Sequence, residues 1–85
     1  MKSHAMKVEI YCYDIDQRKS RLCETWTLDK NGHAICDNEF EQKSMEMDGF
    51  SYEGRRYYPK DGKDFLRYMP WEYAGSSLVH AVVLE

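Results

Sequence analysis

His33 and Cys36 stand three residues apart, and Cys12 and Cys23 could approach them across a sheet. Four such ligands would suit a tetrahedral zinc ion. Cysteine is also a small hydrophobe that strands often bury. No Cys-x-x-Cys pair occurs, and His33 adjoins a turn. Metal binding is therefore kept as an alternative, and no metal or other cofactor is expected. Asp14 and Asp16 lie two apart at a strand end. Paired carboxylates hold Mg²⁺ or divide general acid–base work, and solvated turns carry the same pair. Ser76, Ser77 and His80 put a hydroxyl and a base in one short segment, but a triad needs an orienting third group that nothing here supplies. No glycine-rich phosphate loop follows a strand. A chain of 85 residues builds only a shallow pocket, whereas ligand clefts run ~300–1,000 Å³. The expectation is a protein that is not an enzyme.

A second constellation interleaves rings with cations. Arg55, Arg56, Tyr57, Tyr58, Lys60 and Lys63 are the candidate binding residues, with Tyr52 just before them. Single-stranded nucleic acid binds such surfaces by stacking and phosphate contact. The same pattern arises where aromatics face a core and bases face water. The chain as a whole has net charge -3 and a pI near 5.6, the wrong balance for a typical nucleic-acid domain. Charge is also segregated. Asp37 to Glu53 has a local net of -5, and Arg55 to Arg67 a local net of +3. Adjacent opposite blocks could steer a charged partner or a second copy, or could pair internally.

These groups must be held by a small set of elements. Val8, Ile10 and Cys12 alternate with Tyr11 and Tyr13, which predicts a strand over 6–14. Leu22, Trp26 and Leu28 share one face of a second strand, opposite Cys23, Thr25 and Thr27. Hairpin pairing would set Val8 near Leu28 and Ile10 near Trp26. Asn31-Gly32 predicts a type I′ turn, and His33 to Cys36 a short third strand with Ile35 opposite Leu28. Asn38 could cap a helix that carries Phe40, Ser44 and Met47 on one face and ends at Gly49. Phe50 to Tyr58 reads as a hairpin folded at Glu53-Gly54. Asp61 is expected to cap a helix over Gly62–Met69 with an apolar stripe of Phe65, Leu66 and Met69, ended by Pro70. Leu78 to Leu84 is apolar on both faces apart from His80, which predicts a central strand.

Hydrophobic residues at 42% and aromatics at 14% are too many for disorder. The longest apolar run, Ala81 to Leu84, is four residues, far short of the ~18–20 of a membrane helix. Three cysteines are odd in number and widely spaced, and no charged-then-apolar leader opens the chain. These features predict free thiols and a cytoplasmic location. Met1 to Ala5 reads as an appendage before a start at Met6, leaving residues 6–85 as one domain.

Gly54, Tyr58-Pro59-Lys60-Asp61-Gly62, Phe65-Leu66, Gly75-Ser76, Leu78 and Ala81, with Trp26-Thr27-Leu28 before a turn glycine, resemble a type of small bacterial protein of uncharacterised function. The resemblance implies a bacterial source and a compact α+β domain, and it carries no catalytic residue. The resulting expectation is an α+β domain. A small antiparallel-rich sheet, built from an N-terminal meander and a central C-terminal strand, carries one main helix on one face. That helix would pack on Val8, Ile10, Trp26, Leu28 and Val82. Seven tyrosines in 85 residues favour a protein partner or self-association. Tyr11, Tyr13, Tyr57 and Trp71 are the candidates for an exposed aromatic patch. Single-stranded nucleic acid through the 55–63 segment is the alternative, and no membrane partner is expected.

Overall fold

Alternating β-branched and aromatic side chains make Lys7–Asp14 strand β1, and Lys19–Leu28 returns beside it as β2. The computed structural model describes residues 6–84, so the reading of Met1 to Ala5 as an appendage lies outside the described residues. Ala34–Cys36 is β3 and Glu39–Asp48 helix α1. Phe50–Tyr52 and Arg55–Tyr57 are β4 and β5, Lys63–Tyr68 is helix α2, and Val79–Leu84 is β6. Two short 3-10 segments, Pro59–Asp61 and Met69–Tyr73, flank α2. The main sheet has the order β3-β2-β1-β6, and β4-β5 forms a separate hairpin. The α+β class read from the sequence is the one observed.

The register departs from expectation by two residues. Val8 faces Trp26, Ile10 faces Glu24, and Thr27 rather than Leu28 faces Ile35. The turn sets the offset: Asp14 pairs with Lys19, so the chain reverses over residues 15–18, earlier than the expected turn, and a β-bulge then takes back one residue. Ile10 pairs with Glu24 but Tyr11 pairs with Leu22, so Cys23 is the extra residue of β2. Beyond the bulge the faces of β2 exchange, and Leu22 becomes exposed instead of sharing the face of Trp26. The loop from β2 to β3 differs as well. Asn31 does not have positive φ. Asp29 organises the loop instead, its Oδ1 accepting from the Asn31 and His33 amides at 2.8 and 2.9 Å. The pair of positive φ values that a type I′ turn needs falls at Glu53 (49°) and Gly54 (81°), joining β4 to β5 as expected.

Asn38 caps α1 through its side chain, which accepts from the Glu41 amide, and Gly49 closes it. The buried face differs from the expected one. Phe40 and Met47 are 81% and 77% exposed, and Met45 alone of the helix is buried. Asp61 does not cap α2. Its carboxylate accepts from the Tyr58 amide and closes the Pro59–Asp61 turn. Pro70 does not end the helical run either, since it sits in the first turn of the 3-10 segment that follows α2, where proline's fixed φ suits a helix start. The stripe of Phe65, Leu66 and Met69 is fully buried. Phe65 lies 5.0 Å from the Trp26 ring and 5.2 Å from Phe50. Val8, Ile10, Ala34 and Cys36 complete the sheet's contribution to this core, and Leu28 packs partly buried against it.

The largest correction concerns β6. It is an edge strand, antiparallel to β1 and outside it, not a central one. Val82 pairs with Glu9 on the sheet face opposite the core and does not touch the α2 stripe. Apolar patterning on both faces marks a strand that wants covering, and it does not by itself name the neighbours.

Two substitutions test this packing. Phe65→Ala removes the ring shared by sheet, hairpin and helix and should cost about 3–5 kcal/mol in urea unfolding. Gly62 has φ 58°, and a Cβ there would collide with the Gly32 carbonyl oxygen. Gly62→Ala should therefore cost at least about 2 kcal/mol. A Gly62→Ala midpoint equal to wild type would show that the start of α2 does not seat on the Gly32 loop.

Candidate interaction surface

The 55–63 segment comes together, but its rings are already engaged. Tyr57 is buried, stacked on Phe50 at 5.5 Å and tilted against Tyr68 at 5.2 Å. The Arg55 guanidinium lies 4.7 Å from the Tyr57 ring centre and the Lys60 ammonium 5.5 Å from that of Tyr58. Arg56 donates to the main-chain oxygen of Asp48. Tyr58 is half-buried, and Lys63 is exposed at the start of α2. Arg55 and Lys60 thus cap rings, Arg56 is bound to a carbonyl, and Lys63 alone of the four faces water without such a partner among the described residues. Tyr57 drops out of the expected aromatic patch, while Trp71 is exposed and stacks on Tyr52 at 6.0 Å. Among the described residues, no ion pair joins the acidic and basic blocks. The Arg56–Asp48 hydrogen bond is their visible link.

The metal-ligand set is dispersed. Cys12 and Cys23 form a disulfide across β1 and β2, with Cα atoms 6.0 Å apart. This corrects the expectation of free thiols. An odd count and an eleven-residue separation carry no information on register, and the bulge at Cys23 brings the pair together. The cysteine argument for a reducing cytoplasm falls with it. Cys36 is buried, and burial pushes its thiol up to about 12, which keeps it protonated. His33 Nε2 lies 2.9 Å from a Glu46 carboxylate oxygen. Among the described residues no three His, Cys, Asp or Glu side chains converge on a metal position.

Of the remaining chemical candidates, Asp14, Ser76 and His80 serve structure, while Asp16 and Ser77 are exposed. Asp14 accepts from the Gln17 amide and pairs with Arg21 at 3.4 Å, closing the β1–β2 turn. The Ser76 hydroxyl accepts from the Leu78 and Val79 amides, and His80 stacks on Tyr11 at 5.2 Å. Sequence reasoning missed Glu24, a carboxylate 6% exposed that accepts from Trp26 Nε1 at 3.1 Å. Its signal was present in the alternation: Glu24 falls between Leu22 and Trp26 on the face expected to be buried, and the bulge at Cys23 leaves it there. Burial raises the Glu24 pKa, and Asp37 and Glu41 add to the rise against the opposing hydrogen bond from Trp26.

What remains open lies on the other side of the sheet. Even-numbered β1 residues face the core. The odd-numbered ones, with Thr25, Thr27, Ile35, His80, Val82 and Leu84, form a face that contributes nothing to the buried cluster. At its β1 turn end, exposed Tyr13, Ile15 and Leu22 line a groove of about 550 Å³ beside the disulfide. Exposed Leu78 adjoins it, its carbonyl accepting from the Tyr13 amide at 2.7 Å. No helix among the described residues is long and apolar enough to cross a membrane. Comparison with protein-family models, with curated proteins and with solved structures finds no match.

Two measurements check the disulfide and the buried carboxylate. Thiol titration of the denatured, unreduced protein should find one reactive thiol per chain, that of Cys36, and Cys12→Ser with Cys23→Ser should cost about 3 kcal/mol by the loop-entropy argument. Three thiols would refute the disulfide. Glu24 binds its proton more tightly folded than unfolded, so its contribution is present below its unfolded pKa and lost as pH rises through the raised folded one. Glu24→Gln should therefore gain stability at neutral pH, and the gain should shrink as pH falls toward 4. A gain independent of pH would remove the buried carboxylate from this account.

Proposed function

We propose that this protein is a non-catalytic interaction module that binds a protein partner through the uncovered sheet face and edge at β1 and β6. The observation that carries the reading is the run of exposed apolar side chains there, Tyr13, Ile15, Leu22 and Leu78. These adjoin the Tyr11–His80 stack. Large apolar and aromatic groups held outward on a sheet stabilise an interface by desolvation when a partner covers them. Most of the candidate chemical groups elsewhere are bound into turns, buried, or paired. The nucleic-acid alternative is the weaker reading, because the rings of 55–63 are packed or capped by their own cations.

The two partner classes differ in salt response. Phosphate neutralisation makes oligonucleotide affinity fall by orders of magnitude between ~50 and ~200 mM salt, while a desolvated apolar contact is little screened. Short single- and double-stranded oligonucleotides should show no shift at about 50 mM salt. A protein contact should survive a wash at about 0.5 M salt and be lost in the Tyr13→Arg, Leu22→Arg double variant. That variant should keep the wild-type unfolding midpoint, because both side chains are exposed. A micromolar, steeply salt-dependent oligonucleotide complex would put the nucleic-acid reading in its place.

A further inference from the structure

The two edges of the main sheet are treated in opposite ways. On β3, Ile35 is turned toward β2, so the Cys36 amide and the Ala34 carbonyl point away from the sheet. The Gln42 side chain meets both. Its Oε1 accepts from the Cys36 amide, and its Nε2 donates to the Ala34 carbonyl at 3.1 Å. One side-chain amide from α1 thus stands in for a fifth strand and closes that edge. Glu46 holds the same Gln42 nitrogen at 2.9 Å.

The β6 edge has no such closure among the described residues. The Tyr13 amide donates to the Leu78 carbonyl. Antiparallel alternation then turns the main-chain groups of His80, Val82 and Leu84 toward β1. Those of Val79, Ala81 and Val83 point outward. The strand is six residues long and carries no lysine, proline, acid or bulge, the devices by which exposed edges are normally protected. Apart from His80 its side chains are apolar, so none of them deters a pairing strand.

Resting on the interaction-module reading above, we infer that the edge part of that surface takes a second copy of this chain, whose contact is the β6 strand and not Tyr13 or Leu22. The two β6 strands pair antiparallel across a two-fold axis at Ala81, making one continuous eight-stranded sheet. This register sets Ala81 opposite its own copy, Val79 opposite the partner's Val83, and His80 opposite the partner's Val82. No acidic or basic side chain other than His80 meets itself or its neighbour, so a chain of net charge -3 pairs there without repulsion between carboxylates. Because Gln42 closes the other edge, the pairing stops at two chains and does not run on into a fibre. In the dimer β6 becomes a central strand of the continuous sheet.

The test is sedimentation velocity of the full chain from about 5 μM to about 1 mM, with amide hydrogen exchange at both ends of that range. One strand pair is a small contact, so a monomer–dimer equilibrium within this range is expected. The Val79, Ala81 and Val83 amides should gain protection with concentration, and the His80 and Val82 amides should be protected throughout. Ala81→Pro removes an outward amide and leaves the β1 ladder intact. Val82→Lys sets a lysine beside Glu9, its cross-strand neighbour. Each should weaken the dimer at least tenfold while keeping a cooperative unfolding transition. A chain that stays monomeric at 1 mM overturns the inference, as does a dimer whose Val79, Ala81 and Val83 amides exchange as in the monomer. Protection of those amides in the monomer overturns it too, by showing that the edge is covered within one chain. If the monomer nevertheless retains a protein partner that Tyr13→Arg with Leu22→Arg releases, the interaction-module reading stands and only the second copy is excluded. A monomer that retains none removes both.

Discussion

The Phe65 ring is the meeting point of three substructures that would not otherwise share a core. It lies against Trp26 of the main sheet and edge-on to Phe50 of the small hairpin, and it is itself carried by α2. The small hairpin and α2 are not self-sufficient. A two-stranded hairpin is marginal alone in water, and α2, six residues long, is too short to persist by propensity. Burying one aromatic among all three makes their formation cooperative. The Gly62 position belongs to the same constraint, since α2 reaches Phe65 into place only if its start can lie on the Gly32 carbonyl.

That single-sided core has consequences for the other face of the sheet. With all the buried apolar residues gathered on one side, the odd-numbered β1 residues and their neighbours are left to water or to a partner. The β1–β2 disulfide and the bulge beside it stiffen the far end of this face. The edges are then the only places where the sheet's hydrogen bonding can extend. α1 closes one of them through Gln42, which gives a mostly polar helix with one buried residue a definite structural task.

Turns and caps were largely legible before the structure, because their chemistry is local. Asn38 and Gly49 bound α1 where a capping oxygen and a left-handed glycine were expected, and Glu53-Gly54 folds the second hairpin. The buried stripe of Phe65, Leu66 and Met69 was also visible, since three large apolar residues at helical spacing have few other uses. For the site, the exposure of Tyr13 and Trp71 was readable, while the burial of Tyr57 was not. An aromatic beside two arginines looks the same in sequence whether its ring packs inward or faces a ligand.

The sequence alone determined the α+β class, the position of most elements and the identity of the core's largest residues, through periodicity and turn chemistry that act over a few residues. Tertiary structure alone decided the register of β1 on β2, the Cys12–Cys23 pairing, the exposure of Leu22 and the edge position of β6. Each of these depends on which segments meet at long range. A one-residue bulge exchanges the faces of everything beyond it, and strand order follows from how the whole chain packs. Local pattern records that β6 is apolar on both faces, and only the assembled sheet shows which of its edges is left to be covered.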